Sequence, residues 1–536
     1  MRRREFVATG LTGLIASPAL AAAAPGVMVE IELNGQTYRY DSATGTDLGP
    51  YIDPQGQFTQ DCIRVDHPQL PLSVFIRPDR GMDRLEIVFE LGRMWAGIEP
   101  QHLPQYQARI IRGSATLASI DVPAHYWFSR WRWQSAPRPI RATAAQLMGQ
   151  WLMPQLSDRL RPVTAPIRSA PSYSPMGLAG LAAYMGSTGE RPEIGLLTES
   201  QAQYLCTGNE AAMATLFAQA EAAGTYPWNF RDEKTNAPLN TLAYPRATTY
   251  GPKAGSPHIR TLRAQAAQWD SAHQPALSYL PFLLTGDPYH LEQMQLIATA
   301  NVLWRPWDYR YRTTQVRGEA WAMRTWAQIV IVTPEKVPQW MMPKAHWQKL
   351  LNSYRDWYMA KFVTNPAPPH AIFRSTEQEF GDDRDGLLGG TYTSTWQEDF
   401  LAAVLGWMVL MGHSDWRPVF EWKIGSTIAR TNGQSGWPRA HCVTYRMIMR
   451  SGPDTPWVQN WKDAWDLTAA GLKLTVSDPG QLDLKQLFYF PYTRGALVLA
   501  KHLQIPGADA CLNWADAELV RAVAAKKPLG YKWALV

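Results

Sequence analysis

Two arginines, a tryptophan and a glutamine lie at helical spacing between residues 315 and 332. Arg317, Trp321, Arg324 and Gln328 occupy positions i, i+4, i+7 and i+11, so a helix would place them along one face. Guanidinium groups bind carboxylates through paired hydrogen bonds, and an indole ring stacks on a sugar ring. The spacing therefore predicts a substrate-binding stripe for an acidic sugar. Buried ion pairs that bridge neighbouring helices are the structural alternative.

An aspartate and a histidine form the first candidate for acid–base chemistry. Asp270 and His273 lie three residues apart, just before Pro275. Proline favours the first turn of a helix, so both side chains are expected at a helix N-terminus. Histidine exchanges protons near neutral pH, which makes His273 a candidate general base. The alternative is that Asp270 caps the helix and His273 orients a loop.

Two adjacent carboxylates form the second candidate. Glu398 and Asp399 follow Thr395, and either could act as a catalytic acid or base. The same spacing fits a capping box between Thr395 and Glu398, and acidic groups in a first helical turn also interact favourably with the helix dipole. The catalytic and capping interpretations both remain open.

The preceding segment, residues 380–395, is rich in glycine and aspartate and could be a mobile lid. Within it, residues 382–386 fall short of a calcium-binding loop, because Gly381 occupies the place of the first ligand. We therefore expect no metal site. No haem, flavin, iron–sulfur or dinucleotide signature occurs either, so we expect no cofactor.

Two further polar and aromatic groups lie closer to the C-terminus. His441 and Tyr445 are four residues apart, which predicts a shared helix face and an acid–base pair. Tyr492 and Arg494, with Tyr489 beside them, predict a second substrate-binding cluster. Each group is also compatible with a place in the core or at its rim.

The elements that must position these residues change character along the chain. Residues 27–140 have strand patterns, such as the alternation over residues 29–33, the Asn34-Gly35 turn and the strand at 36–40. We expect a β-sandwich or a barrel-like domain there.

From residue 145 to residue 536 the pattern is helical. Helices repeatedly stop at a glycine, and a short polar residue then starts the next helix, at Gly208, Gly286, Gly412 and Gly507. Roughly ten to fourteen helices fit this length. That number favours an (α/α)6-type toroid, with a helical bundle or an α-solenoid as the alternative. The predicted class is thus α+β with several domains.

The N-terminus has the layout of a secretory signal. Arg2, Arg3 and Arg4 precede a weakly apolar stretch, and Ala-Leu-Ala at residues 19–21 fits a cleavage site. The paired arginines resemble the twin-arginine signals of bacteria. Residues 1–21 are therefore interpreted as a signal peptide, with the twin-arginine translocase as partner and a periplasmic or secreted location. No later segment is long and apolar enough for stable membrane insertion.

Composition narrows the function classes. The formal net charge of +6 is mild and suits a polyanionic substrate without indicating nucleic-acid binding. Neither a serine-hydrolase elbow nor a zinc-protease motif occurs. The four cysteines form no C-x-x-C pair, so a zinc site is not expected, whereas a disulfide and buried free thiols both remain open.

Three short segments carry a resemblance to a known family. They are Gln-Trp-Asp-Ser-Ala-His-Gln-Pro at 268–275, Leu-Thr-Gly-Asp at 284–287 and Thr-Trp-Gln-Glu-Asp-Phe at 395–400. They resemble segments of α/α-toroid polysaccharide lyases with an N-terminal β domain, in particular the exo-rhamnogalacturonan lyase-like group. The resemblance implies a toroid that acts on polysaccharides. Those lyases often end in a β-sandwich, whereas this chain ends in a helical pattern.

The leading hypothesis is an exported lyase that cleaves a uronate-containing glycan by β-elimination. Arg317 or Arg324 would bind the uronate carboxylate, His273 or His441 would remove the C5 proton, and Tyr445 would protonate the leaving oxygen.

Two alternatives remain. An inverting glycoside hydrolase on the same scaffold would use two of the carboxylates Asp270, Glu319, Glu398 and Asp399. A non-catalytic glycan-binding or envelope-assembly protein would use the stripe for binding alone.

Overall fold

A computed structural model describes residues 26–95, 99–160, 169–187, 191–249, 259–262, 267–304, 315–368, 370–375, 391–452, 454–525 and 529–536. The predicted signal peptide, residues 1–21, lies outside the described residues. So does most of the predicted lid, including residues 382–386.

The N-terminal region is rich in β-strands, as the sequence predicts. Its strands are β1 (Val27–Leu33), β2 (Gln36–Asp41), β3 (Thr46–Asp47), β4 (Tyr51–Ile52), β5 (Thr59–Gln60), β6 (Ile63–His67), β7 (Leu70–Pro78), β8 (Leu85–Leu91), β9 (Tyr106–Arg112), β10 (Ala115–Val122) and β11 (Arg130–Gln134). One antiparallel sheet has the order β10-β9-β1-β2 and another has the order β11-β8-β7-β6-β3. Strands β4 and β5 pair separately.

Side chains from both larger sheets share one hydrophobic core. Val29 and Ile31 contribute from the first sheet, and Val74 and Phe89 contribute from the second. The hairpin between β1 and β2 is confirmed, because Asn34 and the following glycine adopt the positive φ values of 53° and 76° that a tight two-residue turn requires.

The second sheet is also buried on its outer face, because that face packs against the helical region. Its outward side chains are largely charged: Arg77, Glu86, Glu90, Arg130 and Arg132. A buried charge is costly unless it is paired and hydrogen-bonded. Within the sheet, Glu86 and Glu90 pair with the three arginines, and the helical region supplies the remaining counter-charges.

The helical region follows, and it also holds two short strands. Its elements are α1 (Ala144–Gly149), α2 (Glu199–Thr207), α3 (Glu210–Ala222), α4 (Tyr279–Thr285), α5 (Pro288–Leu303), α6 (Val316–Val332), α7 (Lys344–Tyr358), β12 (Thr391–Thr393), α8 (Thr395–Met411), α9 (Arg417–Thr431), β13 (Met447–Arg450), α10 (Trp461–Leu472), α11 (Phe490–His502) and α12 (Ala508–Ala525). The described residues thus hold twelve α-helices, which makes the chain a mixed α+β protein.

Helix α5 supplies the partners that the charged sheet face needs. Its Glu292 accepts hydrogen bonds from Arg77 at 3.0 Å, from Arg130 at 2.6 Å and from Arg231 at 2.5 Å. Asp287, the N-cap of α5, accepts from Arg132 at 2.7 Å. We call this set of buried ion pairs the interface network.

The predicted helical hairpins form where glycine meets a capping residue. Gly208 ends α2 with a φ of 67°, and Asn209 then caps α3 by accepting from Ala212 N–H. Gly286 and Asp287 repeat this arrangement between α4 and α5. The left-handed glycine ends one helix and lets the chain reverse into the next.

Helices α6 and α8 lie at the centre of the helical region and are buried on all sides over most of their length. Helix α6 packs on α5, α7 and α8, and α8 packs on α6, α9 and α11. The final residues return to α2, where the backbone N–H of Tyr531 donates to Glu199 at 2.8 Å.

Three local predictions are wrong. Pro275 lies between a 3-10 turn (Ser271–His273) and α4 rather than in a first helical turn. His441 ends a short 3-10 turn, so it shares no helix face with Tyr445. The expected capping box is absent, because the N-cap of α8 is Ser394 and its side chain makes no capping bond.

The four cysteines are free thiols. None of the helices in the described part of the chain combines the length and the apolar character needed to cross a membrane.

Candidate active site

Asp270 and His273 form a hydrogen-bonded pair within one turn. The Nδ1 atom of His273 lies 2.9 Å from Oδ1 of Asp270, which also caps the turn by accepting from Ala272 N–H at 2.7 Å. Burial alone would raise the pKa of Asp270, but the bonds to His273 and to Ala272 hold it below its usual value. Burial lowers the pKa of His273, so the ring is neutral at pH 7.

Arg317 stands beside this pair at the start of α6. Its Nε donates to the Gln315 side chain at 2.6 Å, and its two terminal nitrogens have no hydrogen-bond partner among the described residues. Burial lowers the pKa of Arg317, while nearby Tyr445 and Asp270 oppose that shift. A mostly buried guanidinium with two free donors is suited to bind a carboxylate.

Aromatic rings form the next layer around Arg317. The guanidinium carbon lies 5.3 Å from the ring centroid of Trp396, which is within range of a cation–π interaction. The Trp396 ring stacks on Tyr489 with centroids 4.8 Å apart, and Tyr445 lies 5.9 Å from both rings. Tyr445 is 51% exposed, so part of its side chain is accessible to solvent.

Helix α8 fixes the first turn of α6 at this place. The N-cap of α6, Gln315, makes no capping bond with its side chain. The side chain of Gln397 accepts instead from the Arg317 N–H at 3.2 Å. The Thr-Trp-Gln segment of α8 therefore supplies both the ring under Arg317 and the cap of its helix.

The rest of the predicted arginine stripe points into the core. Trp321 is fully buried with its ring 4.8 Å from Phe400, and Gln328 is also buried. Arg324 donates to the carbonyl oxygens of Gly195 and Gln274. Of the stripe, the structure brings only Arg317 to the Asp270–His273 pair.

Glu398 is held in a buried hydrogen-bonded cluster. Its carboxylate accepts from Ser375 at 2.7 Å and from Thr393 at 2.6 Å, and it contacts Lys423. The residue is 1% exposed. These partners anchor the start of α8 to the preceding strand and to α9.

Asp399 and Glu319 are also engaged in buried contacts. Asp399 pairs with Arg430 at 2.5 Å and accepts from Thr427 at 2.7 Å. Glu319 accepts from the hydroxyl of Tyr358. These bonds join α8 to α9 and α6 to α7, so both carboxylates contribute to helix packing.

The remaining candidates divide between packing and support. His441 contacts the Thr475 carbonyl oxygen at 3.1 Å through Nε2 and stacks on Trp465. Tyr492 is buried against Phe400, with ring centroids 4.4 Å apart. Arg494 donates to Asp516 at 2.6 Å and to the Leu535 carbonyl oxygen at 2.8 Å, which fastens the C-terminal segment.

Three residues that contact Arg317 were not predicted from the sequence as functional: Trp396, Gln397 and Gln315. Trp396 and Gln397 lie in the segment that carries the family resemblance, which is the signal that could have found them. Tyr489 was grouped with Tyr492, although its ring faces Trp396 and Tyr445. No group of three or more metal-binding side chains occurs in the described part of the chain.

No family profile matches the sequence, and searches of curated proteins and of solved structures found no match either.

Proposed function

We propose that this protein is a polysaccharide lyase that cleaves a uronate-containing glycan by β-elimination. The observation that carries the proposal is the convergence of a neutral, carboxylate-oriented His273 with Arg317, whose terminal nitrogens have no hydrogen-bond partner in the described part of the chain. Tyr445 and Tyr489 complete the cluster with hydroxyl groups and ring faces.

In the proposed reaction, Arg317, His273 and Tyr445 each have one role. Arg317 binds the uronate carboxylate and stabilises the negative charge that develops on it as the C5 proton leaves. His273 takes that proton on Nε2. The C5 electron pair forms the C4–C5 double bond, the C4–O bond breaks, and Tyr445 protonates the departing oxygen. The products are an unsaturated uronate and a new free hydroxyl end.

The state of the other carboxylates favours elimination over hydrolysis. An inverting hydrolase needs two free carboxyl groups about 6.5–9.5 Å apart, one acting as acid and one as base. Glu319, Glu398 and Asp399 are instead bound to buried partners. Asp270 is committed to His273.

Helix packing supports the proposal that the helical region is a toroid. Helices α6, α8 and α11 contact one another in sequence, while α7, α9 and α12 each follow as the second helix of a hairpin. The return of the C-terminal segment to α2 is the contact that a closed ring would need. We likewise propose the sandwich-like arrangement of the two large sheets, because they share one core.

Export through the twin-arginine pathway remains part of the proposal, resting on residues 1–21 of the sequence. It is tested by comparing the location of the full chain with that of a variant in which Arg2, Arg3 and Arg4 are replaced by lysine. Retention of the variant in the cytoplasm is expected, and unchanged export would contradict the pathway.

The direct test of function is ultraviolet absorbance of the unsaturated product during incubation with a panel of uronate-containing polysaccharides. Rising absorbance supports the lyase. New reducing ends without absorbance would indicate a hydrolase. Binding without either signal would indicate a glycan-binding protein, and the lyase proposal would then be wrong.

A further inference from the structure

Arg324 is a fully buried cation whose bonds go to the main chain. One terminal nitrogen donates to the Gly195 carbonyl oxygen, and the other donates to the Gln274 carbonyl oxygen at 2.9 Å. In the described part of the chain, Arg324 forms no ion pair with a carboxylate. Burial lowers the pKa of Arg324 to about 9, so it stays protonated at neutral pH.

One of these carbonyl groups belongs to the turn that carries His273. Gln274 directly follows that residue and caps the turn. Its side-chain oxygen accepts from Asn301 of α5 at 2.7 Å and from Thr325 of α6 at 3.4 Å. Both the main chain and the side chain of Gln274 are thus fixed from two helices.

The energetic cost of this arrangement points to a role beyond packing. Removing a guanidinium from water without a counter-charge is expensive, and an apolar residue of similar size commonly stabilises a core better. The planar fork of arginine presents its two terminal nitrogens at a fixed separation, whereas the ammonium of lysine is a single centre with rotatable donors. Arg324 uses this property to join the segment at Gly195 to the turn at Gln274.

We propose that Arg324 is a positioning residue that holds the His273 turn in register with Arg317. The two arginines are seven residues apart on one helix, so they are separated by about 10 Å along its axis. Helix α6 would then set both the place of the substrate carboxylate and the place of the base. The catalytic part of this inference rests on the proposed lyase function, whereas its structural part does not.

The test follows His273 directly by NMR titration of protein labelled with ¹³C-histidine, with His273→Gln to assign the signal. The variants are Arg324→Lys, which keeps the charge but not the fork, Arg324→Met, and Asn301→Ala, which removes one support of Gln274. Arg138→Lys is the control, because Arg138 is a buried arginine that donates to Asp79 in the β region.

We expect the pKa of His273 to rise toward its usual value in both Arg324 variants, since a loosened turn admits water. Asn301→Ala should shift it in the same direction by a smaller amount. Arg138→Lys should lower the melting temperature without moving that pKa. On a cleaved substrate, kcat of Arg324→Lys should fall at least about tenfold with a smaller change in KM.

An unchanged pKa of His273 in the folded Arg324 variants would overturn the inference. If neither of them folds, Arg324→Gln, whose shorter side chain keeps one amide donor, takes their place, and an unchanged pKa of His273 in that variant would overturn the inference. If the native protein cleaves no uronate glycan, the lyase proposal fails, but the titration still decides whether Arg324 positions the turn.

Discussion

Nδ1 of His273 lies 2.9 Å from a carboxylate oxygen of Asp270, and this contact fixes the proton on that side of the ring. The pKa of Asp270 is below its usual value, so the carboxylate can only accept. Nε2 is therefore the proton acceptor of His273. The same pairing of a histidine with an orienting carboxylate prepares a general base in many enzymes.

The pH dependence of cleavage should reflect this base. His273 must be neutral to remove a proton, so kcat/KM should rise with pH as the ring loses its charge. Because burial lowers the pKa of His273, the midpoint of this rise should lie below pH 6.5. The dependence of kcat/KM on pH is measured from initial rates between pH 4 and pH 8, with a polysaccharide that the protein cleaves. A midpoint above neutral pH would exclude His273 as the base.

Asp270→Asn should lower kcat by about 10²–10⁴-fold, because an amide no longer fixes the proton on Nδ1. Removing the carboxylate also removes a group that raises the pKa of His273, so the acid limb should move to lower pH. Ser271→Ala is a neighbouring control. Equal losses in both variants would mean that damage to the turn, rather than loss of the carboxylate, causes the effect.

Arg317→Met should abolish most activity, with kcat/KM falling by about 10²–10³-fold through loss of transition-state stabilisation. Arg39→Met is the control, since its side chain is 69% exposed on the β region. Measurements on a glycan and on its carboxyl-reduced form separate the roles. If Arg317→Met reduces binding of both forms equally, Arg317 does not recognise the carboxylate.

Tyr445→Phe keeps the ring and removes only the hydroxyl. If Tyr445 protonates the leaving oxygen, kcat should fall by about 10²-fold or more while KM stays close to that of the native protein. Phe488→Ala removes a neighbouring exposed ring and serves as the comparison, because it should alter KM rather than kcat. An unchanged kcat in Tyr445→Phe would assign the acid to another group.

Glu292→Gln should lower the free energy of unfolding by about 3–5 kcal/mol, because it leaves three buried arginines without their shared carboxylate. Glu335→Gln is the exposed control. The pKa of Glu292 is well below its usual value, so its stabilisation is present above pH of about 4.3 and is lost as pH falls further. Urea unfolding of the native protein and both variants at pH 7 and pH 3 measures this, and equal stability of Glu292→Gln and native protein at pH 7 would contradict the network.

Local turn chemistry made much of the fold predictable. Asn34 and Gly208 act within a few residues of their own positions, so the hairpin and the helix stop could be read from the sequence. The outer sheet face was less predictable. From the sequence alone Arg130 would be expected at the surface, because its partner Glu292 is 162 positions away.

The candidate site was predicted only in part, because local patterns do not show which distant residues the fold brings together. Helical spacing correctly placed Arg317 and Arg324 on one face of α6, but it could not show which ends of that face reach solvent. Both arginines belong to a helix buried on all sides, and only Arg317, at its first turn, lies beside the aromatic cluster. The contact of Trp396 with Tyr489 joins residues 93 positions apart, which no local pattern encodes.

The interface network also constrains the order in which the chain can mature. Arg77 and Glu292 are 215 residues apart, so the N-terminal sheet leaves the ribosome long before its counter-charges are made. Until then three arginines on its outer face share only two carboxylates of the same sheet, Glu86 and Glu90, so burial of this face would leave positive charge uncompensated. We therefore expect the β region to complete its fold only after α5 has been synthesised, which makes synthesis of the second half of the protein a condition for finishing the first.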